Sequence, residues 1–335
     1  MELIHILLLC PGNDDPSPVD QSLGARLAAA NAPACSNVIL HEHPFRPGDL
    51  ADLGTTLARW RGKVSAVIGA TNVAESTRLG ELTEQMNLLC FVANNNPSVW
   101  QGRRHVFHIG LPSAQTAAAV AGLLAKAKRK RIFLVYDQTE FQRGVASSME
   151  VALQNKGMEV RLQGDAADFD YAAAKEWKAD LIYVIFSSER KALPMARRIR
   201  ECVTEIPLLF GRSLLRESFL MSLDEGIGEA WFVDMFQRNQ AQNETRRHFM
   251  AVLSDAGINI PTANHAFGWD GMDFCALALK AAQGEPLLAI DYLESGSVLE
   301  GVSGTCSFSR DNHNGRAGFG PTTLTRWHHG RLEEV

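Results

Sequence analysis

The chain has 335 residues, 46% of them hydrophobic and 21% charged, a balance that excludes general disorder. A formal net charge of -5 excludes the basic surplus on which a nucleic-acid surface depends. No apolar stretch reaches the roughly 18 residues that span a bilayer, so direct membrane insertion is not expected.

The opening MELIHILLLC has an apolar run without a basic flank or a small-residue cleavage site. It reads as a first strand, Ile4 to Leu9, rather than a signal peptide. Further strands are expected at Asn37–His41, Val64–Ile68, Leu88–Ala93, Ile132–Tyr136, Glu159–Leu162, Leu181–Phe186, Pro207–Phe210 and Ala230–Phe236. Most are short uninterrupted apolar runs, the pattern of strands buried on both faces of a parallel sheet. The segments between them carry a helical period. Leu79, Leu82 and Met86 lie at i, i+3 and i+7, with Arg78, Glu81, Glu84 and Gln85 on other faces. Gly157 stops the helix that Ala152 and Leu153 close. The basic run KAKRKR, Lys126 to Arg131, ends one helical segment before a strand, where cations suit the helix C-terminus.

Residues 1–111 and 112–238 form two strand–helix series of similar length. Helices Glu244–Ala256 and Gly268–Ala282 follow, and the tail from Gly301 to Trp327 reads as short antiparallel strands with turns. Such alternation predicts an α/β fold of two doubly wound lobes with a crevice between them. Ligands of open α/β sheets bind outside the carboxyl ends of the strands.

Two strand ends invite attention on that ground. VSAVIG runs into Thr71-Asn72, and LLCFVA runs into Asn94-Asn95-Asn96. The helix after Gly69 leaves its first amides without intrahelical partners, so amides plus Thr and Asn side chains can receive a carboxylate or amide oxygen. The competing reading is local: an N-cap at Thr71 or Asn72 and a turn before Pro97.

Other chemistries find less support. His41 and His43 share a strand face at metal-compatible spacing, but no third ligand is identifiable near them. The six cysteines show no CxxC pair and read as free thiols, with Cys10, Cys90 and Cys275 in apolar patterns. Neither a nucleophile elbow, a P-loop nor a dinucleotide-binding glycine motif is present, so no enzyme activity and no cofactor are expected. Trp100 and Trp269 read as core aromatics rather than a binding wall.

Five pieces together carry a family likeness. They are "VIGATNVAES"; "LLCFVANNNP" followed by "HVFHIGLPSAQTAAAVAGLLA"; "RIFLVYDQTEFQRGVASSMEVALQNKGMEV"; "ADLIYVIFSSERKALPMARRI" with "IPLLFGRS"; and "FGWDGMDFCALALKAA" with "LEGVSGTCSFSRDNHNG". In this order the chain resembles type I periplasmic binding proteins, specifically the branched-chain amino acid and amide-binding group that serves ABC transporters. The resemblance implies two Rossmann-like doubly wound lobes joined by a three-strand hinge, closing on a small ligand. The lobes would comprise residues 1–111 with 239–318 and residues 112–238 with 319–335. Thr71 and Asn72 match the loop that holds a ligand carboxylate, and Asn94, Asn95 and Asn96 the second clamp. Phe141 stands where relatives place a tyrosine, as an apolar wall, while Phe186 and Ser187 match a loop of the far lobe.

Ser213 falls where amino-acid binders carry a carboxylate for the ligand's amine. A buried ammonium without a counter-charge costs several kcal/mol, so Ser213 argues against a plain zwitterion; Glu189, Asp137 and Asp270 are the available substitutes. The segment "PSPVDQSLGARLAAANAPACSN" is shorter than the helix that relatives place after strand one. The implied function is non-catalytic binding of a carboxylate- or amide-bearing solute, amino-acid-like or an aromatic acid, delivered in the periplasm to an ABC-transporter permease. The alternative is a cytoplasmic ligand-sensing regulator of the same fold that acts through a protein partner.

Overall fold

A computed structural model describes residues 3–11, 16–46, 48–69, 72–94, 96–164, 170, 172–186, 188–223, 227–235, 244–316, 322–328 and 330–335. The chain forms two compact units, Met1–Pro112 with Ala241–Gly320 and Ser113–Gln240 with Pro321–Val335. It therefore passes from one to the other three times.

The first stretch runs β1 (Ile4–Pro11), α1 (Pro16–Asn31), β2 (Val38–Phe45), α2 (Leu50–Trp60), β3 (Ala66–Ile68), α3 (Val73–Met86), β4 (Leu89–Val92) and β5 (Val106–His108). The second holds α4 (Ser113–Lys126), β6 (Arg131–Tyr136), α5 (Glu140–Gln154), β7 (Glu159–Gly164) and α6 (Ala173–Glu176). It continues through β8 (Leu181–Ile185), α7 (Glu189–Cys202), β9 (Leu208–Phe210), α8 (Glu217–Ser222) and β10 (Ala230–Asp234). Helices α9 (Glu244–Asp255), α10 (Ala263–Ala281) and α11 (Pro286–Glu294) then lead into the hairpin β11 (Ser295–Gly301) and β12 (Gly304–Ser309). Strands β13 (Thr323–His328) and β14 (Arg331–Glu334) finish the chain.

The first unit's sheet has the order β2-β1-β3-β4-β5, parallel throughout. The second unit's sheet reads β7-β6-β8-β9-β10 in parallel, the same order, and then adds β13 and β14 antiparallel. In each, the order reverses beside the first-laid strand, at β1/β3 and at β6/β8.

Helices α2 and α3 cover one face of the first sheet, where Leu53, Leu57, Leu79 and Leu82 meet Leu7, Leu9, Val67 and Cys90. Helices α1 and α10 share the other face and approach each other with no side chain between their backbones. A Cβ on Gly24 would land on the His265 carbonyl, and one on Gly268 on the Gln21 carbonyl. Glycine is required at both positions by close approach. The hairpin that follows is held from α10 by Asp270, fully buried, which accepts from the Val302 and Ser303 amides at 2.7 and 2.9 Å and from the Ser303 hydroxyl. Arg316 lies 3.7 Å from the same carboxylate and donates to the Ser303 carbonyl at 2.8 Å.

Two elements depart from the sequence expectation. Strand β5 is unanticipated because it has three residues and ends in a histidine. His108 is buried only because Asn314 Oδ1 meets its Nδ1 at 2.7 Å and its ring stacks on Trp100. Helix α10 begins five residues before Gly268, since Thr262 accepts from the His265 amide and the His265 ring accepts from the Thr262 amide, a reciprocal cap. Trp100 and Trp269 are core side chains. Of the six free cysteines, Cys35, Cys90, Cys275 and Cys306 are buried, Cys10 is half-buried and Cys202 exposed. The basic run serves the fold: Asp180 accepts from the Lys130 and Arg131 amides at 2.8 Å, and Arg129 lies over Trp231.

Gly268→Ala is expected to cost about 1–3 kcal/mol, read as a lower thermal midpoint, because backbone must move. Gly122→Ala, inside α4 with open space at the Cβ position, is expected to raise stability by roughly 0.5–1 kcal/mol. A second expectation concerns pH. Burial, and then the Asp270 charge, push the Asp273 carboxyl up to about 6 from an ordinary 3.8. Its raised value means that its stabilising contribution is complete below about pH 4 and is lost as pH rises through about 6. Asp273→Asn should therefore raise the midpoint at neutral pH and leave it unchanged in acid.

Candidate functional site

The carboxyl edge of the first sheet is shaped at its switch point by Gly69. With φ at +141°, it sits where a Cβ would lie 2.8 Å from the Leu9 Cβ, and its amide donates to the Phe91 carbonyl at 3.2 Å. Only glycine permits strand β3 to end this close to β1. The chain then turns into α3, whose N-cap is Asn72: its Oδ1 accepts from the Glu75 amide at 2.8 Å. Glu75, buried in the first turn, accepts from the Gly48 amide at 2.6 Å and suits the positive end of the helix. The Asn72 Nδ2 donates to no described residue and is exposed.

On the adjacent strand end, Asn94 is buried and its Oδ1 accepts from the Asn96 amide at 2.8 Å. Exposed Asn96 in turn accepts from the Ser98 amide at 3.0 Å and caps the turn Pro97–Val99. Turn chemistry thus takes one oxygen from each of these three asparagines. Thr71, Asn95 and Ser187 lie outside the described residues.

The strands of the second sheet that correspond to β3 and β4 are β8 and β9. Phe186, just past β8, is 1% exposed. Its ring belongs to the core, and at the strand end it offers its carbonyl, which accepts from the Ser213 hydroxyl at 3.4 Å. Ser213 lies in a 3-10 turn, Arg212–Leu214, half-buried next to β9. Phe141 stands apart in the first turn of α5, 56% exposed.

The carboxylates considered for a ligand amine are occupied. Asp137 accepts from Lys191 Nζ at 2.9 Å and from the Thr139 amide at 3.3 Å. Glu189 accepts from the Ser218 hydroxyl at 2.9 Å and lies 3.3 Å from Arg216 Nε, which also donates to the Ser213 carbonyl at 2.9 Å. Asp270 is sealed behind the hairpin. Lys191 and Arg216 escaped sequence reasoning because nothing in their spacing reveals a partner 54 or 27 residues away.

Metal chemistry gains nothing at the histidine pair. His41 Nε2 meets His5 Nδ1 at 2.9 Å and its ring packs on Trp60, while His43 contacts Thr56. Among the described residues no group of three or more metal-ligating side chains occurs, and no helix is long and apolar enough to cross a membrane.

Solved structures share this fold over the whole chain. A leucine-binding protein, LivK, from Thermotoga maritima MSB8 aligns with a TM-score of 0.79 at 18% identity, covering 100% of this chain and 98% of that one. A solute-binding protein of an R. palustris ABC transporter, solved with benzoate, gives 0.80 at 16% identity over 99% and 95%. The branched-chain amino acid transporter substrate-binding protein LivJ from Streptococcus pneumoniae, solved with isoleucine, gives 0.78 at 18% over 100% and 99%. No curated protein sequence matches the chain. Residues 51–329 match the family described as Periplasmic binding protein. With that match across most of its length and the type I fold in both sheets, the chain belongs to the periplasmic binding protein family.

Proposed function

We propose that this protein binds a small organic solute without transforming it and passes it to an ABC-transporter permease in the periplasm. The solute is carboxylate- or amide-bearing, amino-acid-like or an aromatic acid. One observation carries the reading: the two sheets share the order of their five parallel strands, and past β3, β4 and β9 the chain enters a helix or 3-10 turn at Asn72, Asn96 and Arg212–Leu214. The relatives solved with isoleucine and with benzoate support the choice of solute class. A second reading, a ligand-sensing regulator that acts through a protein partner, draws on six cysteines that are all free. Co-purification of the full-length native protein with a permease or with a soluble partner separates the two.

In a thermal-shift panel of amino acids, amides and aromatic acids, at least one compound is expected to raise the midpoint. The gain should correspond to about 2.7 kcal/mol at a hundredfold excess over Kd. Flat curves across the whole panel overturn the proposal. Asn72→Ala is expected to cost about 1 kcal/mol of stability through the lost cap. Asn72→Asp keeps the capping oxygen but replaces the outward NH2 by charge, so it should hold the midpoint while weakening carboxylate binding about tenfold or more.

A further inference from the structure

We propose that the amino edge of the second sheet is a docking surface for an anionic phospholipid membrane, held there by exposed lysines. This goes beyond the solute-binding reading and does not rest on it, since the strand ends considered above lie at the opposite, carboxyl edge.

Three turns meet at the amino edge. The turn between α4 and β6 presents Lys126, Lys128 and Lys130 to solvent. The turn between α5 and β7 presents Lys156, and the one around α6 presents Lys175 and Lys178. Backbone hydrogen bonds tie the three together. The Glu159 amide donates to the Lys130 carbonyl and the Asp180 amide to the Arg131 carbonyl, both at 2.8 Å. The Asp180 carboxylate accepts in turn from the Lys130 and Arg131 amides. On β7, exposed Arg161 lies over the Trp177 ring, 5.0 Å from its centre.

Six lysines and Arg161 are thus exposed beside only two exposed carboxylates, Glu159 and Glu176, in a chain whose net charge is -5. Among the described residues no ion pair engages any of these lysines. The same edge turns acidic farther along, at Glu201, Glu205 and Glu229 before β9 and β10, and there the patch ends. Folding does not ask for this excess. A helix C-terminus gains from a cation in its last turn, which Lys126 alone supplies for α4, while further like charges repel one another.

The residue types select the partner. Protein interfaces favour arginine and are depleted of lysine. A flexible, hydrated ammonium instead attracts a diffuse anionic surface without a fixed counterpart, as clustered lysines do at anionic lipid. Trp177, half-buried under Arg161, adds an amphipathic ring of the type that settles among headgroups. The overall negative charge does not prevent contact. At physiological salt fields decay within about 8 Å, so a membrane feels the patch that touches it and little of the rest.

The full chain is sedimented with vesicles of phosphatidylcholine alone and of phosphatidylcholine with an equal part of phosphatidylglycerol. At about 0.1 M salt, binding is expected only to the second. It should fall about tenfold or more at about 1 M, where the screening length shrinks to about 3 Å. Lys130→Gln, Lys156→Gln and Lys175→Gln together should weaken it about tenfold or more. None of the three has the left-handed backbone of Lys128 and Lys178, so the change leaves the turns intact. The same three changed to Arg should retain binding, as should Lys63→Gln with Lys280→Gln, both exposed in the first unit. Should the glutamine triple melt early, acetylation of the wild type decides instead. Vesicles with phosphatidylglycerol are expected to protect Lys130, Lys156 and Lys175 and to leave Lys63 and Lys280 reactive. Equal binding to both vesicles, binding to neither, or binding that a folded glutamine triple leaves unchanged overturns the proposal. Capture of poly-glutamate by a chain that ignores both vesicles also overturns it and assigns the patch to an acidic protein. None of these outcomes bears on solute binding, which the thermal-shift panel reads separately.

Discussion

The contact that most of the first unit depends on is the meeting of α1 and α10 at Gly24 and Gly268, backbone on backbone. Segments more than two hundred residues apart are joined there without side chains to cushion the fit. That joint makes residues 241–320 part of the first unit at all. Once α10 is seated, Asp270 can reach Val302 and Ser303, and Arg316 can close over the same carboxylate. A buried pair of this kind contributes little net energy relative to an apolar substitute, but removing one member leaves the other uncompensated. Its use is to fix one register for the returning hairpin.

Most of the strand–helix series was legible because parallel strands buried on both faces leave unbroken apolar runs. Every anticipated strand from Ile4 to Ala230 has its counterpart, with ends shifted by a residue or a few. What escaped was set by tertiary partners. Val106–His108 reads as nothing in particular until Asn314 and Trp100 satisfy His108. The start of α10 depends on a cap in which histidine plays the part that glutamate or glutamine usually takes.

The candidate residues were legible as positions and less so as roles. Asn72, Asn94 and Asn96 do stand at consecutive strand ends, yet each gives an oxygen to its own turn. The local and functional readings are therefore not alternatives. Exposed Asn72 spends its acceptor on the backbone and keeps its two donors outward. Phe186 shows the opposite limit, since an aromatic at a strand end followed the apolar run into the core. The Asp137–Lys191 pair joins the end of β6 to α7, and Glu189–Arg216 joins α7 to the start of α8, neither of which a local pattern encodes.

The three passages of the chain between the units bear on biosynthesis. When residue 240 leaves the ribosome, β1 to β5 are complete, but the α1 face that receives α10 is still bare. The second sheet also waits, with the edge of β10 open until β13 arrives near the last residues. The first unit has all its residues only at 320 and the second only after it, so loss of the final fifteen residues strips β13 and β14 from one sheet while leaving the other unit whole.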